Sequence, residues 1–198
     1  MTEQEKMFIE SCLEGNLRSI KMCVKHGVNI HVQNNWSIDI VARKGYSKIV
    51  KYFLENGISN KEATEKKVLA YCCHNGDYDT VKYLIERSDE YKVDHSSLQW
   101  AASKGDQLIV EMLLAYINDL SGLFCSAAQS GNVNLMQFLI DNDLQNLDHS
   151  AERAVYWGAE KNKWNCVDIL LNNEIGTLDN LGSYKDKYFD WKQKIKQV

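Results

Sequence analysis

The chain has 198 residues, 44% of them hydrophobic and 25% charged, with a formal net charge of −4. A charge this small gives no indication of a nucleic-acid or membrane surface. No apolar run reaches the length of a membrane span, and Met1 is followed by Thr2, Glu3 and Glu5 rather than by a secretory leader.

The first predicted helix covers 3–13. Thr2 and Glu5 have the spacing of a capping box, and Phe8, Ser11 and Cys12 stand at i, i+3 and i+4, one face of a helix. Gly15 follows, then a second helix over 17–26 with Ile20, Cys23 and Val24 as its apolar stripe and Gly27 as a C-cap. The polar run Gln33, Asn34 and Asn35 leads to Trp36, which either meets a partner or packs on the next unit. The pattern then repeats. Helices are expected at 37–43 and 47–56 around Gly45, with Gly57 as a second C-cap, and at 66–74 and 78–87 around Gly76. Further pairs are expected at 96–103 and 107–116 around Gly105, and at 122–129 and 133–141 around Gly131. The sixth pair, 151–160 and 164–172, has Asn162 in the glycine's place. Asp119 or Ser121 is the expected cap of the fifth pair and Asp148 of the sixth.

The five glycines are 30, 31, 29 and 26 residues apart, and Asn162 lies 31 beyond the last, a period that means stacked repeats rather than one globular core. Seven residues before each turn stands a large apolar residue: Phe8, Ile38, Leu69, Leu98, Phe124 or Val155. Three before it stands Cys12, Ala42, Cys73, Ala102, Ala128 or Ala159, small enough for two helices to approach closely. The turn itself needs positive φ, easiest for Gly and next for Asn. The connection from Leu114 to Phe124 is three to five residues shorter than the others, so the fingers between pairs should be uneven. Beyond Ser183, Tyr184, Tyr188, Trp191 and Ile195 form the stripe of a last amphipathic helix, which either covers the end of the stack or meets a partner.

These residues resemble ankyrin repeats. The copies that carry the resemblance are Val41-Ala42-Arg43-Lys44-Gly45 with Phe53-Leu54-Glu55-Asn56-Gly57, and Trp100-Ala101-Ala102-Ser103-Lys104-Gly105 with Leu113-Leu114. Trp36-Ser37-Ile38-Asp39 stands where that family usually has Thr-Pro-Leu-His, and the chain has no proline at all. Arrays that lack proline and place aromatics in the first helices look like those of giant DNA viruses of amoebae. The resemblance implies an all-α ankyrin-repeat solenoid of stacked antiparallel helix pairs, with six repeats over 1–175 as one domain and a capping helix over 176–198.

It also implies a concave face lined by fingers and first helices, and hence a map of protein-binding candidates. These are Trp36, Arg43, Lys44, His74, Asn75, Ser103, Lys104, Gln129, Ser130, Glu160 and Lys161. Trp100, Trp157 and Tyr71, five residues before their turns, are expected in the core. The six cysteines have no metal-ligand spacing and are expected to be reduced. The five histidines form no catalytic motif, and neither a phosphate loop nor a nucleophile elbow is present. The expectation is a non-enzymatic interaction scaffold without cofactor or small-molecule substrate. It would be a monomer in the cytoplasm or nucleus of a host cell, with a host protein as partner. A substrate adaptor for ubiquitin ligase machinery and a self-associating structural protein are the alternatives.

Overall fold

The computed structural model describes residues 2–65, 67–86 and 93–196. Lys66 and Arg87, the expected first and last residues of two helices, lie outside the described residues. Every regular element among the described residues is helical, and the chain divides into two compact units, Met1–Val93 and Asp94–Val198.

In the first unit the pairs are α1 (Glu3–Glu14) with α2 (Leu17–Lys25), α3 (Val32–Arg43) with α4 (Ser47–Glu55), and α6 (Val68–Asn75) with α7 (Tyr78–Glu86). The first helices α1, α3 and α6 stack in that order, and α7 packs on α4. The Thr2–Glu5 capping box opens α1 as expected, with Glu5 N donating to Thr2 Oγ1 at 3.2 Å and Thr2 N to Glu5 Oε2 at 2.7 Å. A short helix, α5 (Asn60–Glu65), was not foreshadowed by the apolar pattern. It is placed by hydrogen bonding: Glu62 Oε2 accepts from both Ser59 N and Ser59 Oγ at 2.8 Å. Helix α3 is regular only from Trp36, because Gln33, Asn34 and Asn35 are left-handed (φ 54, 55 and 60).

In the second unit α8 (His95–Lys104), α10 (Leu123–Ser130) and α12 (Ala154–Glu160) are the stacked first helices. Their partners are α9 (Gln107–Leu114), α11 (Val133–Asp141) and α13 (Trp164–Asn172). The expected large and small residues before the turns lie in the cores of both units, while Val24 of the α2 stripe is half-buried. Phe8, Ile38, Leu98, Phe124 and Val155 are fully buried, and Cys12, Ala42, Cys73, Ala102, Ala128 and Ala159 are no more than 1% exposed. Phe8 reaches from the first pair to the second, its ring centroid 6.0 Å from that of Phe53.

The turns keep their expected geometry. Gly15, Gly45, Gly76, Gly105 and Gly131 have φ between 71 and 76, and Asn162 has φ 57. Stacking adds a second constraint that periodicity does not contain. A Cβ on Gly15 would lie 2.7 Å from the Tyr46 ring, and one on Gly105 2.9 Å from Asn132, because a side chain of the next repeat's turn lies over each glycine. Asn132 Nδ2 donates to Gly105 O at 2.7 Å and Asn75 Nδ2 to Ala42 O at 2.9 Å, which ties these two turns to the ones before them.

Two expected caps are corrected. Neither Asp119 nor Ser121 caps α10: Asp119 closes its own turn by accepting from Ser121 N, and Gly122 at φ 77 is the N-cap. Asp148 does not open the sixth pair but reaches back to the fifth, accepting from Gly122 N and Phe124 N at 3.0 Å. It is 1% exposed, a position tolerable for a carboxylate only because Ser150 N and Ser150 Oγ supply two further donors.

After Ile175 the chain makes a 3₁₀ segment, Leu178–Tyr184, broken at Gly182 (φ 54), and then α14 (Lys185–Ile195). Tyr188, from the expected stripe, is 2% exposed, and its hydroxyl donates to Asp168 Oδ1 of α13 at 2.5 Å. Lys192 Nζ donates to the same oxygen at 2.6 Å and to Tyr188 Oη at 2.9 Å, which fixes α14 against α13.

Candidate protein-binding surface

The side of each first helix opposite the buried stripe carries the candidate surface. In the first unit Trp36 is half-buried at the start of the regular part of α3. The left-handed run before it is held by Asn35, whose Nδ2 donates to Glu62 Oε1 at 2.8 Å while its Oδ1 shares a hydrogen bond with His31 Nδ1 at 2.8 Å. The Ser59 backbone N–H foremost, against the opposing effect of burial and with help from Ser59 Oγ, Asn35 and His31, holds the Glu62 carboxyl down to about 2.

Arg43 and Lys44 are exposed at the end of α3. Arg43 Nε donates to Asp39 Oδ1 at 3.2 Å, and its guanidinium lies 5.2 Å from the Tyr71 ring centroid. His74 and Asn75 are also exposed, but Asn75 is already engaged by Ala42 O and works as an inter-repeat tie.

In the second unit Lys104 and Lys161 are exposed, while Ser103, Gln129, Ser130 and Glu160 are half-buried. Three of these serve the local backbone or each other. Ser103 Oγ donates to Trp100 O at 2.9 Å, Ser130 Oγ donates to Ala127 O at 2.7 Å, and Glu160 lies 3.5 Å from Lys161 Nζ. The residues before each turn are thus a mixture of exposed groups and structural hydrogen bonders.

The main correction concerns the aromatic residues five before the turn. Trp100 is 43% exposed, and Tyr71 and Trp157 are half-buried rather than core. The geometry gives the reason: this position is two residues on from the buried large residue, about 200° around the helix. That offset was the available signal, and it turns each of these aromatic residues away from the buried stripe of its own helix. In the second unit Tyr156 is 42% exposed, with its ring 5.7 Å from both Trp157 and Tyr184.

All six cysteines are buried, and burial pushes Cys12 up to about 12 and Cys166 to about 11, so these thiols pack as small apolar groups. Among the described residues no three His, Cys, Asp or Glu side chains are grouped to hold a metal, and no helix is long and apolar enough to cross a membrane.

A family profile for ankyrin repeats in three copies matches residues 38–121 and again residues 98–180. The chain is also 28% identical over 89 residues to the ankyrin repeat protein L66 of Acanthamoeba polyphaga mimivirus. That similarity covers 45% of this chain and 15% of the viral protein, so the chain spans a small part of its relative's length.

Proposed function

The chain belongs to the ankyrin-repeat family, and from that premise we propose that it captures a protein partner through the open face of its first helices. Ankyrin-repeat architecture is in general a non-enzymatic scaffold for protein–protein interaction. The observation that carries the finer reading is the exposure of Trp100, 43%, on a helix whose opposite side is fully buried. A partner that covers such a ring gains both apolar burial and a rigid anchor.

In this reading Trp100, Trp157 and Tyr156 are the anchors of the second unit. Lys104 and Lys161 form their charged rim, and Trp36, Arg43, Lys44 and His74 act in the first unit. Ser103, Gln129, Ser130, Glu160 and Asn75 shape the face while holding its backbone. The partner is a host protein met in the cytoplasm or nucleus, and one copy of the chain acts alone. Residues 1–175 form the repeat scaffold and 176–198 its cover, a division supported by the bonds of Tyr188 and Lys192 to Asp168.

Proximity labelling in host cells tests this, with the intact protein compared to a variant changed at Trp36, Lys44, Trp100 and Lys104. The specific partner set should be lost while the variant keeps its helical content. An unchanged partner set from a folded variant refutes the proposed face.

A further inference from the structure

The second helices carry a charge pattern that the open face does not use. In α2 the charged residues are Arg18, Lys21 and Lys25, with no carboxylate, in α4 they are Lys48, Lys51 and Glu55, and in α7 they are Asp79, Lys82 and Glu86. Their counterparts α9, α11 and α13 each carry a single charged residue, Glu111, Asp141 and Asp168. In a chain of net charge −4, basic residues are therefore gathered on α2 and α4, while α7 carries more carboxylates than cations.

Stacking organises these cations. Lys21 Nζ of α2 lies 5.2 Å from the Tyr52 ring centroid of α4, and Lys51 Nζ of α4 lies 5.3 Å from that of Tyr83 in α7. The same repeat position thus sets each ammonium over the aromatic ring of the following repeat, which restricts its freedom without neutralising it. The ion pairs of this unit among the described residues are Lys6–Glu3, His31–Glu62, Arg43–Asp39 and Lys82–Glu86. None takes Arg18, Lys21, Lys25, Lys48 or Lys51. The basic row also borders an apolar floor: a depression of about 510 Å³ is lined by Leu17, Arg18, Lys21, Met22 and Lys25, and Met22 is 51% exposed.

We propose that this second-helix face of the first unit is a separate docking surface for an acidic peptide segment of a partner protein, with an apolar side chain of that segment seated on Leu17 and Met22. Charge complementarity selects the occupant. Arg18, Lys21 and Lys25 around the apolar floor, with Lys48 and Lys51 on the next second helix, favour carboxylates flanking an apolar anchor, and the exposed methionine supplies a soft, adaptable contact. This surface is distinct from the open face of the first helices, so the two readings fail independently.

The test uses the full chain and a fluorescein-labelled peptide of glutamates around a central phenylalanine, read by fluorescence anisotropy. Binding should weaken with added salt, and Lys21→Glu with Lys51→Glu should reduce affinity by about tenfold. Met22→Ser should also weaken it, whereas Lys194→Glu with Lys196→Glu, at the end of α14 and its C-cap, makes the same change in net charge and should leave affinity within about twofold. Circular dichroism checks that each variant keeps its fold. Absence of binding by the unaltered chain overturns the proposal, as does equal weakening by both charge-reversed pairs. Capture of a single-stranded DNA oligonucleotide or of phosphatidylserine vesicles in place of the peptide overturns it as well. So does a doubling of mass abolished by the Lys21 and Lys51 reversals, which assigns the face to a second copy.

Discussion

Removing the Asp148 carboxylate should be among the most damaging single changes in the second unit. Its Oδ1 accepts from Gly122 N at 3.0 Å, Ser150 N at 2.9 Å and Ser150 Oγ at 2.7 Å, and its Oδ2 from Phe124 N at 3.0 Å. In Asp148→Ala the Gly122 amide keeps Ser150 Oγ at 3.0 Å, but the Phe124 and Ser150 amides lose these bonds. Hydrogen bonds to a charged group contribute about 1.5–3 kcal/mol each, so two outright losses cost about 3–6 kcal/mol. Asp148→Asn keeps one oxygen but turns a donor toward a donor at one of the two sites, for about 1–3 kcal/mol. Urea denaturation of the full chain, followed by circular dichroism and tryptophan fluorescence, measures both. Hydrogen exchange at the Phe124 amide should quicken in either variant. A loss under about 1 kcal/mol in the alanine variant, with the Phe124 amide still protected, would show that Asp148 does not tie the fifth and sixth repeats together.

Ala102 is fully buried and Lys104 is exposed two residues later on the same helix. Ala102→Leu should therefore overpack the stack at a cost of about 1–3 kcal/mol and lower the thermal midpoint, while Lys104→Leu leaves it nearly unchanged; equal midpoints contradict this burial pattern. Glu62 supplies an acid-dependent contribution in the first unit. Its folded carboxyl sits at about 2 against an ordinary 4.5, so its stabilisation is complete above 4.5 and fades as pH falls through about 2. Urea midpoints measured over that window should fall less steeply for Glu62→Gln than for the unaltered chain, and identical slopes would refute the Ser59–Glu62–Asn35 network as the cause.

Much of the fold was legible because repetition reports the same fact six times. Gly15, Gly45, Gly76, Gly105, Gly131 and Asn162 adopt the left-handed turns their spacing requires, and the large and small residues before them are buried as a 3.6-residue period demands. Less of the candidate surface was legible. The exposed pair Arg43 and Lys44 could be anticipated from position alone, but the surface position of Trp100 was hidden by the assumption that a tryptophan beside a buried stripe belongs to it. Helix α5 escaped detection because it rests on the Ser59–Glu62 contacts rather than on an apolar stripe.

The sequence by itself determined the register: which residues turn, which face inward and where one repeat ends and the next begins. These are local properties, set by the φ preference of one residue and the angular spacing of side chains on one helix. Only the tertiary structure decided what lies across each joint. Asp148 bonds to Phe124, Asn132 to Gly105 and Asn75 to Ala42, over separations of 24, 27 and 33 residues. A helical period shows that a side chain points toward a neighbour, but the neighbour's backbone donor or acceptor is brought there by stacking. The same stacking sets Lys21 over Tyr52 and Lys51 over Tyr83, and so converts scattered surface charges into a row.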